Sequence, residues 1–270
     1  MEIKKIKQKR ISKIQKEFKY NTNRIYNILL FFILFSFQIS LENENLFILR
    51  KLNYYSEVIL TIKGSGNKQI INNKTNSLYD IISEEVIEYK FDTKPSELFV
   101  NGNKVKEDFY VYDLEGEENI ITIRFNEKLS NCNVMFYDFS DIIKIKFNNY
   151  DSTVTSMEYM FYECADLISL DLSNFDSSSV TNMYRMISGC YNLVSVDLTG
   201  FITSSVVYMN YMFCSCSKIV YLDVSSFDTS SVINMMSMFQ GCSSLISLNL
   251  SNFRTSSVQK MQQMVCGCSN

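Results

Sequence analysis

The sequence predicts an α/β repeat solenoid, with one short strand and one short helix per 26-residue coil, preceded by a small β-rich N-terminal domain. Three observations carry that expectation. Cys164 recurs as Cys190, Cys216, Cys242 and Cys268, Met160 as Met186, Met212, Met238 and Met264, and Phe175 as Phe201, Phe227 and Phe253; a fixed period of this length marks units that bury their apolar face only against their neighbours. Within a unit, Leu167, Leu170 and Leu172 have strand spacing, while Val180, Met183, Met186 and Ile187 return at the i, i+3, i+6 and i+7 positions of a helical face. Between them, Asn174 to Ser179 is all Asn, Asp and Ser except Phe175, side chains that bond nearby backbone and cap a helix.

Taken in order, residues 1–24 form a basic segment with nine Lys or Arg against Glu2 and Glu17. Residues 25–41, IYNILLFFILFSFQISL, follow as a signal peptide or signal anchor. The apolar core is of signal length, but no good small-x-small cleavage site follows. The charge asymmetry keeps residues 1–24 cytosolic and sends Glu42 onward across the membrane; the alternative for the apolar stretch is a buried helix. Residues 42–119 read as the β domain, from the runs EVILTIKG, KQII, SELFVNGNKV with an Asn101-Gly102 hairpin turn, and DFYVYDL. The next run, NIITIRF, already carries the repeat-strand spacing at Ile120, Ile123 and Phe125. It is expected to pair with the first coil, so that the domain covers the solenoid's end.

Residues 120–270 are the solenoid, about six coils, the first degenerate, with Phe139 where the ladder cysteine belongs. Six strands about 4.8 Å apart would give a sheet roughly 25 to 30 Å wide. The chain stops after Cys268 without a polar closing unit, so the solenoid is expected to be C-terminally uncapped, either as a piece of a longer array or with an end face that self-associates.

The repeated residues C-x-x-L-x-x-L-D-L-S-x-F-x-[TS]-S-S-V-x-x-M-x-x-M-F-x-x-C resemble the BspA-like leucine-rich repeats of bacterial and protist surface proteins. The resemblance covers about residues 129–270. It implies a leucine-rich solenoid at a cell surface, used for adhesion or protein binding, without catalysis.

Composition narrows the chemistry. The chain has no His, which excludes an imidazole base or His metal ligand. Formal charge is −3 overall; the first 24 residues hold +7, so the remainder carries about −10 and lacks the basic stripe that nucleic acid requires. No catalytic, cofactor or metal site is expected. Five of the eight cysteines share one column, read as a buried thiol ladder rather than disulfides. The C-x-C pairs at Cys214 and Cys266 stand two coils apart, too far for a four-ligand zinc site.

The candidate binding residues are a concave column, Asp171, Asp197, Asp223 and Asn249, with Tyr221 beside it. A like-charge column invites solvent screening, a basic protein ligand or calcium. Tyr159, Tyr184, Tyr208 and Tyr211 are candidate contact residues on the helical side, and the Met columns are core. Asn73-Lys74-Thr75 is a possible glycosylation site. The expected role is a non-catalytic adhesion or protein-binding module on the extracellular side. The alternatives are a self-associating surface coat and, less favoured, an exported hydrolase using acidic residues.

Overall fold

The computed structural model describes residues 56–268, apart from short stretches at 73–74, 81–84, 92, 106–109 and 149–152. The basic segment 1–24, the apolar segment 25–41 and the sequon at Asn73 lie outside the described residues.

The described residues form eleven strands: β1 Ser56–Lys63, β2 Gly66–Gln69, β3 Thr75–Asp80, β4 Glu85–Lys90, β5 Glu97–Val100, β6 Asn103–Val105, β7 Val111–Leu114, β8 Glu118–Phe125, β9 Ile142–Asn148, β10 Ser169–Asp171 and β11 Ser195–Asp197. Seven of them make one mixed sheet in the order β11-β10-β9-β1-β8-β5-β6, and β2/β7 and β3/β4 are separate antiparallel pairs. The hairpin β5/β6 turns at Asn101 and Gly102, both at positive φ, as an Asn-Gly type I′ turn demands. The hairpin β3/β4 had no recognised signal in the sequence.

The N-terminal strands meet the coils differently from the expectation. Strand β8 does not pair with the first coil. Strand β1 lies between, antiparallel to β8 on one side and to β9 on the other. Val58, Leu60 and Ile62 of β1 are fully buried, and alternate with half-buried Glu57, Ile59 and Thr61, so one face of the strand lies on the core and the pattern fixes its register. From β9 the sheet continues in parallel through β10 and β11, with Ser169 opposite both Lys144 and Ser195. Beyond β11 only isolated parallel bridges persist, Tyr221 to Ser247 among them.

The predicted helices of the coils are absent, and this overturns the α/β assignment: among the described residues there is no helix, and the described part is built of β-strands and consecutive turns. The backbone hydrogen bonds show why. The N–H groups of Met157, Tyr159, Phe161 and Glu163 donate to the carbonyls of Asn182, Tyr184, Met186 and Ser188 in the next coil, at 2.8–3.0 Å. The intervening N–H groups of Met160, Tyr162 and Cys164 donate three residues back, to Met157, Tyr159 and Phe161. Every second donor therefore points along the stack, which an α-helix forbids because all its donors run parallel to its own axis.

This alternation needs left-handed backbone at every fourth residue. Tyr159 and Glu163 have φ of +55° and +59°, and the same two columns repeat as Arg185 and Gly189, Tyr211 and Ser215, Ser237 and Gly241, and Gln263 and Gly267. Each sits at the third position of a four-residue turn, where a type II turn requires positive φ. The apolar spacing that resembled a helical face arises because the turns bring Val180, Met183, Met186 and Ile187 inward together, all fully buried. The core is one continuous cluster from the N-terminal strands into the coils. Within it Phe136 stacks on Phe161 and Phe213 on Phe239, with centroids 5.9 and 5.8 Å apart.

Candidate functional site

The acidic column sits where β10 and β11 and their successors end, and each member closes its own turn. Asp171 Oδ1 accepts from Ser173 N, Asp197 Oδ1 from Thr199 N, Asp223 Oδ1 from Ser225 N and Asn249 Oδ1 from Ser251 N, at 2.9–3.0 Å. These are Asx turns, and they explain why an amide replaces a carboxylate at Asn249 without breaking the pattern. Asp171 also pairs with Lys146 of β9. Burial pushes its carboxyl up, but hydrogen bonds from Lys146 and Ser173 outweigh that and hold it below the ordinary value. Hydrogen bonds from Ser225 hold Asp223 low in the same way. The column is thus an ordered row of turn-closing carboxylates, with Asp197 and Asp223 exposed. Beside it Tyr221 is 68 % exposed.

Next to this row runs an apolar column that sequence reasoning missed. Ile168 and Val194 are 44 % and 47 % exposed, and Ile246 continues the line. The residues stand at the coil period one place before the strand serines, and a β-branched residue recurring there was the available signal. Ile143, Ile168 and Val194 line a groove of about 740 Å³. One wall comes from the N-terminal strands, at Lys63, Gly64, Glu117 and Glu118, and the other from Asp166, Asn192 and Lys218. Both walls are braced. Gly64 N donates to Glu117 O at 2.7 Å and Asn119, fully buried, donates to Gly64 O. Across the groove Lys218 donates to Asn192 Oδ1 at 2.7 Å, and Asn192 donates to Ala165 O at 2.9 Å.

The tyrosines divide. Of the four tyrosines expected as contact residues on the helical side, Tyr159 and Tyr184 are buried, Tyr211 is half-buried and Tyr208 is exposed. Tyr159 packs on Tyr89, Tyr137, Tyr162 and Tyr184, and Arg185 lies 4.4 Å over the Tyr211 ring while donating to Tyr184 Oη at 3.0 Å. Burial pushes the Tyr159 hydroxyl up and that of Tyr162 up to about 12. These phenols therefore stay protonated near neutrality.

All eight cysteines are free thiols. Each ladder thiol donates to a carbonyl of the preceding coil: Cys164 to Phe136, Cys190 to Phe161, Cys216 to Ile187, Cys242 to Phe213 and Cys268 to Phe239, at 3.0–3.3 Å. Among the described residues no cluster of three or more Cys, Asp or Glu converges as metal ligands, and no helix is long and apolar enough to cross a membrane.

Fold and surface together define a β-rich repeat protein, in which turn-stacked coils extend a sheet begun by β1 and β8 and present grooves on their flanks. The chain belongs to the family described as Mycoplasma protein of unknown function, DUF285, whose model matches residues 130–222 and 196–270. Those two stretches together span a little over half of the chain and coincide with the coils. No curated protein and no solved structure matches it.

Proposed function

We propose that the protein is a non-catalytic binding module displayed on the outer side of the membrane, taking an extended, basic segment of a partner protein in the groove lined by Ile143, Ile168 and Val194. The observation that carries this reading is the exposed β-branched column itself, set in a groove with braced polar walls. Apolar surface grouped in this way, rimmed by polar residues, marks interaction sites. Glu117, Glu118 and Asp166 outnumber Lys63 and Lys218 on the walls, and with the exposed Asp197 and Asp223 nearby they favour a cationic partner. Export is supported by the basic segment followed by residues 25–41, and a surface role by the resemblance of the repeat to those of surface proteins.

External protease applied to intact cells tests display: the coils should be digested, and protection until lysis would refute it. Capture from extracellular extract with the intact chain and with an Ile168→Ser/Val194→Ser variant tests the groove. The variant should fold, because both residues are half-exposed, and should lose the partner together with its salt-sensitive binding. A partner held equally by both proteins overturns the assignment.

A further inference from the structure

A second groove, of about 360 Å³, opens in the turn portion of the coils, among Tyr184, Tyr208, Asn210, Asn234 and Lys260. The hydrogen-bond pattern is broken there at one buried residue. In neighbouring coils the N–H at this level is caught by a side-chain amide: Asn133 Oδ1 accepts from Glu158 N, Asn182 Oδ1 from Tyr184 N and Asn234 Oδ1 from Met236 N, at 2.9–3.0 Å. In the coil between, Tyr208 stands where Asn182 and Asn234 stand, and a phenol cannot fold back to its own backbone. The Asn210 N–H consequently has no acceptor among the described residues. Asn210 is 1 % exposed, lines the groove, and its Oδ1 is buried without a partner.

A buried amide that makes no hydrogen bond and has an open N–H beside it is costly in the free protein and is suited to a ligand that fills both demands. A hydroxyl does so, accepting from the N–H and donating to Oδ1. Beside it Tyr208 is 41 % exposed, an aromatic ring on which an apolar ring face can lie. Hydroxyls next to an aromatic platform, with Lys260 and Asn182 at the rim, match the two faces of a pyranose. We propose that this groove is a carbohydrate subsite that takes one sugar ring of a glycan, with a ring hydroxyl on Asn210 and the C–H face on Tyr208. It is independent of the protein-binding groove, since the two share no lining residue.

The test uses the full chain and four probes, the methyl glycosides of glucose, galactose, N-acetylglucosamine and glucuronic acid, each followed by saturation-transfer NMR and by titration at millimolar sugar. At least one should bind. Tyr208→Asn restores the amide that neighbouring coils carry, so it should raise the melting temperature while weakening the sugar about tenfold or more, by removing the platform and occupying the N–H. Asn210→Leu, similar in size and apolar, should hold or raise the melting temperature and also lose the sugar. The proposal is overturned if none of the four binds, if binding survives both substitutions, or if a basic apolar peptide occupies this groove and the sugars do not. It is equally overturned if Asn210→Leu lowers the melting temperature while wild type binds no sugar, the result expected if a structural water alone satisfies Asn210.

Discussion

The ladder thiols show how one atom type can serve a repeat. A cysteine at this point is small enough to stay buried and still donates to a carbonyl one coil back. Burial pushes the Cys164 and Cys242 thiols up to about 12 from an ordinary 9.0, and Cys190 and Cys216 are raised well above it. Because the folded state keeps these protons longer than the unfolded chain does, their contribution is fully present below about pH 9 and is lost as pH rises toward 12. Chemical unfolding followed across that window should show stability falling steadily. Native alkylation should mark the exposed Cys266 first, with the buried Cys164, Cys190, Cys216 and Cys242 reacting only on unfolding. Backbone strain gives a second prediction at this scale. Ser215 holds φ of +63° in a column where Gly189 and Gly241 hold the same position. Ser215→Gly should therefore be neutral or stabilising by up to about 1 kcal/mol, and Gly241→Ala destabilising by about 1–2 kcal/mol. The added Cβ at Gly241 meets nothing closer than 3.5 Å, so the cost is conformational. Thermal unfolding of both variants reads the sign.

At the scale of the element, the coil is a closed circuit of short-range bonds. The turn-closing carboxylates end each strand segment, and a hydroxyl ladder ties the next bend. Thr203 Oγ1 accepts from Asp228 N at 2.8 Å and donates to Asp228 O at 3.0 Å, and Ser177 and Thr229 do the same for Ile202 and Arg254. Replacing Asp171, Asp197 and Asp223 together by Asn preserves every Asx turn, as Asn249 already demonstrates, so the fold should persist while binding to a basic partner weakens and its salt dependence flattens. The same three positions changed to Ala lose the acceptors, at about 1 kcal/mol for a lost side-chain cap. Circular dichroism melts set beside binding at two salt concentrations separate the structural from the electrostatic role. Equal affinity of the Asn variant at low salt would remove the column from the binding surface.

At the largest scale described, β1 holds the N-terminal strands and the coils together. Since β1 occupies the middle of the seven-stranded sheet, between β8 and β9, the coils are not an independent unit. A fragment starting at residue 126 would expose the edge of β9 along its length, together with Ile145 and Phe147, which β1 now covers. It should aggregate or remain unfolded, whereas a chain starting at residue 52 should fold with full cooperativity. Differential scanning calorimetry of the two decides the matter: a soluble, cooperatively melting 126–270 fragment would contradict the central placement of β1.

How much of this was legible varies with the range of the interaction. The period, the core columns, the thiol ladder and five strand runs followed from residue spacing alone, because burial and turn chemistry act within one coil or between identical neighbours. The sequence by itself also determined that the folded part is acidic and carries no imidazole chemistry. The helical reading failed because apolar positions at i, i+3 and i+7 report which side chains face inward and not where the N–H groups point. The glycines at 189, 241 and 267, one residue before the ladder cysteines, were the local sign of left-handed backbone. Only the tertiary structure decided that the donors alternate between the coil and its neighbour, that β1 crosses back between β8 and β9, and that the Asn210 N–H and Oδ1 are left without a partner. Each of these depends on residues far apart in sequence meeting across a sheet or a stack, where hydrogen-bond satisfaction is settled by the neighbouring chain segment rather than by the segment's own pattern.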